Sequence, residues 1–88
     1  MSNTKVELYH RKQCPYCKKV QAVLQEMDLE MIQKDVGKNA DDLEELRAVG
    51  GKTQVPCLIQ VNDQGEKTAL YESDDIISWI KTHENELR

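Results

Sequence analysis

The chain has 88 residues, 39% hydrophobic and 32% charged, with a net charge of −4. A chain this short buries only about 60 to 65% of the surface its unfolded form exposes, so residues 1–88 are expected to be one domain with a small core. Scattered charges of both signs argue against disorder, while the acidic balance with one Trp, three Tyr and no Phe argues against nucleic acid as the main ligand.

The N-terminal MSNTKVELYH has no apolar run of signal-peptide length, and no stretch approaches the ~18 apolar residues of a membrane span, so no membrane partner and a cytoplasmic location are expected. Three cysteines are an odd number, which a framework of structural disulfides does not suit. In a reducing compartment a close Cys pair is more often catalytic or metal-binding.

Lys5 to Tyr9 alternates polar and apolar residues and reads as a first strand. A helix follows from Pro15, with Val20, Val23, Leu24 and Met27 at helical spacing; proline suits the first helical position, which places Cys14 at the N-cap. Glu30 to Val36 reads as a short edge strand ended by Gly37. Asn39 can cap a second helix carrying Ala40, Leu43, Leu46 and Val49, which Gly50-Gly51 stops. Val55 to Val61 and Lys67 to Tyr71 read as an antiparallel hairpin joined by the turn "NDQG" from Asn62 to Gly65. Ser73 or Asp74 can cap a last helix with Ile76, Ile77, Trp79 and Ile80, and the polar run Thr82 to Arg88 is expected to fray. The order β-α-β-α-β-β-α predicts an α/β fold: one mixed four-stranded sheet flanked by helices on both faces.

"RKQCPYCKKV" therefore lies where a strand ends and a helix starts. A sulfur there faces free backbone N–H groups and the positive end of the helix dipole, and Arg11, Lys12, Lys18 and Lys19 add positive potential. Cys14 is the expected thiolate nucleophile. Cys17, one helical turn on, is the expected resolving thiol, able to attack a mixed disulfide at Cys14. Pro15 holds the first turn, and Tyr16 offers a flat apolar surface beside the sulfur. Zinc would need four ligands, and the remaining candidates, Cys57, His10 and His83, include no second close pair, so no metal is expected. Cys57 is expected as a small buried apolar residue, His10 as a surface residue at a strand end and Trp79 as core. Asp41, Asp42, Glu44 and Glu45 are expected on a solvated face.

Three separated pieces resemble the glutaredoxin family: "CPYC" at Cys14–Cys17, "QVPCL" at Gln54–Leu58 and "YESDDI" at Tyr71–Ile76. The resemblance spans nearly the whole chain. It implies a thioredoxin-like fold and glutathione-dependent thiol-disulfide oxidoreduction, with glutathione as co-substrate and disulfide-containing or glutathionylated proteins as partners of a monomer. By that resemblance Arg11 meets a glutathione carboxylate, Tyr16 and Gln54 line the groove, and Val55 pairs with the cysteinyl backbone. Pro56 is then the family's cis-proline, and Ser73 and Asp74 hold the γ-glutamyl end.

Gln54 stands where the family carries Thr, and Tyr71-Glu72 where it carries a glycine pair. In those features "GKTQVPCL" and "YESDDI" are closer to the N-terminal domain of glutathione transferases; with no second, helical domain expected after Arg88, a free-standing glutaredoxin with a transferase-like groove is the expectation. The alternatives are an iron-sulfur cluster carrier using Cys14 from two subunits with two glutathiones, and a redoxin recycled by thioredoxin reductase.

Overall fold

The structure, a computed structural model, describes residues 5–62 and 64–87. Four strands, β1 (Lys5–His10), β2 (Ile32–Asp35), β3 (Cys57–Val61) and β4 (Lys67–Leu70), form one sheet in the order β2-β1-β3-β4. The β1–β2 pair is parallel, and the β1–β3 and β3–β4 pairs are antiparallel. Helices α1 (Pro15–Glu26), α2 (Ala40–Gly50) and α3 (Ser73–Thr82) flank it, and a short α4 (Glu84–Leu87) follows. The expected mixed four-stranded α/β sheet is thus present, and the fold is thioredoxin-like.

The period-2 alternation of β1 divides the interior into two cores. Val6 and Leu8 join Leu58 on the face covered by Val20 and Leu24 of α1 and Ile76 and Ile80 of α3. Tyr9, Ile59 and Cys57 face the other way, against Leu46 of α2. Both walls of any cleft between α1 and α3 therefore rest on one core, and α2 rests on the other.

Element ends differ from the sequence expectations for local reasons. β1 runs one residue further, to His10, whose carbonyl accepts the Val36 N–H at 3.0 Å. β2 is shorter than Glu30–Val36, because only Ile32 to Asp35 find register partners on β1. β3 begins at Cys57 rather than Val55, since Pro56 has no N–H to give to a ladder; the Val55–Pro56 bond is cis. β4 ends at Leu70, one residue before Tyr71. Neither Ser73 nor Asp74 caps α3. Ser73 is its first residue, and the cap position belongs to Glu72, which makes no side-chain capping bond and has φ 71°. Glu84–Leu87 forms a helical turn where fraying was expected, while Arg88 lies outside the described residues.

Other expectations hold. Asn39 caps α2 by accepting the Asp41 and Asp42 N–H groups at 2.9 and 3.4 Å, and Gly51, at φ 75°, closes it with an N–H to the Arg47 carbonyl. In the hairpin loop Asn62 accepts N–H bonds from Gln64 and Glu66; Asp63 of that turn lies outside the described residues. Cys57 is fully buried. Trp79 is half-buried against the first core and stacks on His83, with ring centroids 4.1 Å apart.

One expectation about the acidic run of α2 is corrected. Glu45 is half-buried and ion-paired, because its position on α2 turns it toward the sheet. It pairs with Lys67 of β4 and lies 3.8 Å from Lys34 of β2, which in turn is 3.3 Å from Glu7. The Lys67 hydrogen bond, partly opposed by burial, holds the Glu45 carboxyl below the usual glutamate range. A value lowered by folding means stability that is complete above the unfolded pKa of about 4.3 and is lost as pH falls through the folded one. Glu45→Gln is therefore expected to cost about 0.5 to 1 kcal/mol at neutral pH. Urea titrations across pH should show that deficit shrinking toward zero in acid.

The end of α2 meets the end of β4 closely. A Cβ on Gly50 would stand 1.7 Å from the Tyr71 hydroxyl and 2.8 Å from its ring carbon Cζ. Gly50→Ala should destabilise the fold by about 2 kcal/mol through overpacking. In a Tyr71→Ala background the same substitution should cost little, which a denaturant double-mutant cycle measures.

Candidate active site

The site starts from the geometry of one helix end. Cys14 takes an extended conformation at the N-cap of α1 (φ −89°, ψ 116°), with Pro15 as the first helical residue. Its carbonyl accepts the Lys18 N–H at 3.1 Å and its Sγ accepts the Cys17 N–H at 3.3 Å, so sulfur occupies the place a capping oxygen ordinarily takes. The Sγ lies 3.9 Å from the Val55 carbonyl oxygen, which brings the residue before Pro56 against the sulfur from across the fold.

The two thiols differ sharply in setting. Cys14 is half-buried, whereas Cys17 is completely buried on the inner face of α1. Burial, together with the hydrogen bond of its thiol to Cys14, pushes the Cys17 pKa up to about 12. Cys17 is thus a protonated donor beside the Cys14 sulfur at neutral pH. Cys57 is pushed up to about 11, chiefly by burial, and sits in the second core. A thiol exposed to reagents and two that are sheltered and protonated is the division of labour a nucleophile with a resolver needs.

Beside Cys14 a groove of about 440 Å³ opens between α1 and α3, lined by Tyr16, Lys19, Gln54, Val55, Pro56, Glu72, Ser73 and Asp74. Six of the seven residues expected at a glutathione site, Tyr16, Gln54, Val55, Pro56, Ser73 and Asp74, are therefore brought together. Tyr16 is 62% exposed, an apolar surface large enough to support a ligand. Ser73 is buried, and its hydroxyl has no hydrogen-bond partner among the described residues. Behind it lies the start of α3, whose first N–H groups no side chain caps.

The seventh residue, Arg11, lies elsewhere. It lines a separate recess with Lys12, Gln13, Asp35, Gly37 and Lys38. His10, expected at the surface, is half-buried with its Nδ1 buried and unpartnered, because the strand carries it one residue further into the fold.

Two groove residues escape sequence reasoning. Lys19 reaches across from α1 to Asp74 at 2.7 Å, and Glu72 accepts a hydrogen bond from the Gln54 amide at 3.3 Å. Lys19 reads in the sequence only as one more positive charge. Glu72 had a signal: a side chain occupies the place of a family glycine, and its φ of 71° is the left-handed geometry glycine would favour. Among the described residues no group of three or more His, Cys, Asp or Glu side chains converges, and no helix is long and apolar enough to cross a membrane.

Residues 8–87 match the family described as "Glutathione S-transferase, N-terminal domain". No curated protein matches the sequence. Among solved structures the chain is similar to the thioredoxin-like protein BC3987, with a TM-score of 0.59 and 22% identity over 84% of this chain and 97% of that one. It is also similar to a maleylacetoacetate isomerase from Anaeromyxobacter dehalogenans 2CP-1, with a TM-score of 0.66 and 22% identity over 94% of this chain; the match spans 37% of the isomerase. A third similar structure is mitochondrial thioredoxin 3 from Saccharomyces cerevisiae in its oxidized form, with a TM-score of 0.64 and 18% identity over 91% of this chain and 78% of that one. At such identities these structures speak to the fold alone.

Reagent access follows from the three thiol settings. Brief treatment of the reduced, native protein with iodoacetamide at neutral pH should add one carbamidomethyl group, at Cys14. Three should be added after denaturation. Peptide mass spectrometry reads both, and native labelling of Cys17 or Cys57 at a comparable rate would contradict the arrangement.

Proposed function

This chain belongs to the glutathione S-transferase N-terminal domain family, and from that premise we propose that it works as a glutaredoxin-type, glutathione-dependent thiol-disulfide oxidoreductase. The observation that carries this reading is the position of Cys14: its sulfur is held at a helix start by the Cys17 amide and borders a groove with the polar and apolar partners a γ-glutamyl peptide requires.

In this reading the Cys14 thiolate attacks the glutathione sulfur of a protein–glutathione mixed disulfide. A Cys14–glutathione disulfide forms, the original S–S bond breaks, and the protein thiolate leaves with the electron pair and takes up a proton. A second glutathione thiolate then attacks the glutathione sulfur held on Cys14, releasing glutathione disulfide and restoring Cys14. With a protein disulfide, the first leaving thiolate can accept the Cys17 proton. Cys17 then attacks Cys14, the second protein thiolate leaves, and a Cys14–Cys17 disulfide remains for two glutathiones to reduce.

The groove residues have matching roles. The Val55 backbone offers a short ladder to the cysteinyl unit beside Pro56, and Tyr16 gives a flat wall. Ser73 and the first N–H groups of α3 receive the γ-glutamyl carboxylate, and Asp74 receives the amine. Gln54 orients Glu72 at the same end. Arg11, on the far side of Cys14, meets the other carboxylate of an extended glutathione. In the same proposal the protein acts in the cytoplasm as a monomer.

Two variants test the roles. Cys14→Ser should abolish reduction of a glutathione mixed disulfide, a loss of at least about a thousandfold given the removal of the nucleophile. Cys17→Ser should keep most of that activity and lose reduction of protein disulfides. Assays coupled to glutathione and its reductase, run beside thioredoxin reductase as the electron source, read both effects. Turnover by thioredoxin reductase alone, or full activity of Cys14→Ser, would refute the reading.

A further inference from the structure

Two recesses of different electrostatic character are tied to Cys14: Val55, whose carbonyl lies 3.9 Å from its sulfur, lines one, and Arg11, whose carbonyl accepts its N–H, lines the other. In the groove the charged and polar groups answer one another: Lys19 pairs with Asp74, and Gln54 donates to Glu72. The second recess, of about 310 Å³, is lined by Arg11, Lys12, Gln13, Asp35, Gly37 and Lys38. Its three cations are exposed and make no ion pair among the described residues. The one acid, Asp35, directs Oδ1 to the Gly37 N–H at 2.9 Å. Three cations less one carboxylate leave a lining charge of +2, on a chain whose net charge is −4. Like charges gathered without counter-ions concentrate positive potential and attract an anion.

The form of the recess selects among anions. A compact phosphate favours a nest of convergent backbone N–H groups. Here the Gly37 and Lys38 N–H groups are taken by Asp35, through its side chain and its carbonyl. The cations instead sit on long, exposed stems from two loops, one between β1 and α1, the other between β2 and α2. Spread, mobile cations suit carboxylates distributed along a peptide. A single carboxylate at the glycine end of glutathione engages Arg11 and leaves Lys12 and Lys38 without partners.

The geometry points to this recess as a docking site for an acidic segment of the substrate polypeptide, with Asp or Glu side chains within a few residues of the cysteine that Cys14 relieves of its disulfide. The assignment rests on the oxidoreductase reading of Cys14 and leaves its exchange step unchanged. What the recess adds is attraction before the step. Its effect therefore falls on KM, weakens with salt and is absent for small disulfides.

The experiment uses the full chain and three glutathionylated peptides of equal length whose cysteine is flanked by acidic, neutral or basic residues. At low salt kcat/KM should fall in that order, with the acidic peptide about tenfold above the neutral one through a lower KM. High salt should collapse the difference. Lys38→Glu should remove the acidic preference, while turnover of the small mixed disulfide of glutathione and 2-mercaptoethanol stays unchanged. Equal kcat/KM for all three peptides overturns the docking site, as does an acidic preference that survives Lys38→Glu. A parallel loss with the small disulfide in Lys38→Glu also overturns it, because Lys38 would then join Arg11 in serving glutathione itself. Failure of the unaltered protein to turn over the small disulfide overturns the oxidoreductase reading instead, and the docking site with it.

Discussion

At the start of α1 the first backbone amides have no carbonyl to meet, and the one on Cys17 meets the sulfur of Cys14 at 3.3 Å. Much of the molecule can be understood as what keeps that contact in place. The central strand β1 delivers the chain to the loop at Arg11, whose carbonyl accepts the Cys14 N–H. Pro15 begins the helix immediately afterwards, and the apolar stripe of Val20 and Leu24 anchors it to Leu8 and Leu58. From the opposite direction, β3 starts just after Val55-Pro56 and sets the Val55 carbonyl near the sulfur. A helix cap, ordinarily a matter of about 1 kcal/mol in stability, here also defines where reactive sulfur is exposed and which residues surround it.

The second thiol complements the first by being hidden. Cys17 shares the inward face of α1 with Val20 and Leu24, so the spacing that makes it a neighbour of Cys14 also buries it. Burial keeps its proton on at neutral pH. The different settings of the two thiols thus follow from their positions on one helix, Cys14 at its cap and Cys17 on its inner face.

The order of elements, the parallel β1–β2 pair implied by a β-α-β unit, the hairpin and the caps of α1 and α2 were readable from periodicity and from Pro15, Asn39 and Gly51. Six groove residues were readable through resemblance, because short motifs at fixed places in a fold converge on one end of a sheet. Contacts between side chains far apart in sequence were not. Nothing local tells that Lys19 reaches Asp74, 55 residues away, or that Glu45 turns from solvent to Lys67. Helix capping misled in a different way: Ser73 and Asp74 have the right chemistry for an N-cap, but Glu72 takes the cap geometry at positive φ, which frees the Ser73 hydroxyl from that duty. Arg11 enters the expected site only through the family resemblance, and the fold sets it in the basic recess with Lys12 and Lys38.

The sheet separates the molecule into two cores that share strands but not side chains. Tyr16 and Lys19 on α1, and Ser73 and Asp74 on α3, stand on helices anchored in one core; Lys38 hangs on the approach to α2, which is anchored in the other. Local opening of α2 would release that lysine while the walls of the α1–α3 groove keep their own core. Sequence drift in Leu43, Leu46 or Val49 can then alter how Lys38 is held without disturbing the core beneath Tyr16, Lys19, Ser73 and Asp74. The packing under one face of the sheet can therefore vary independently of the packing under the other.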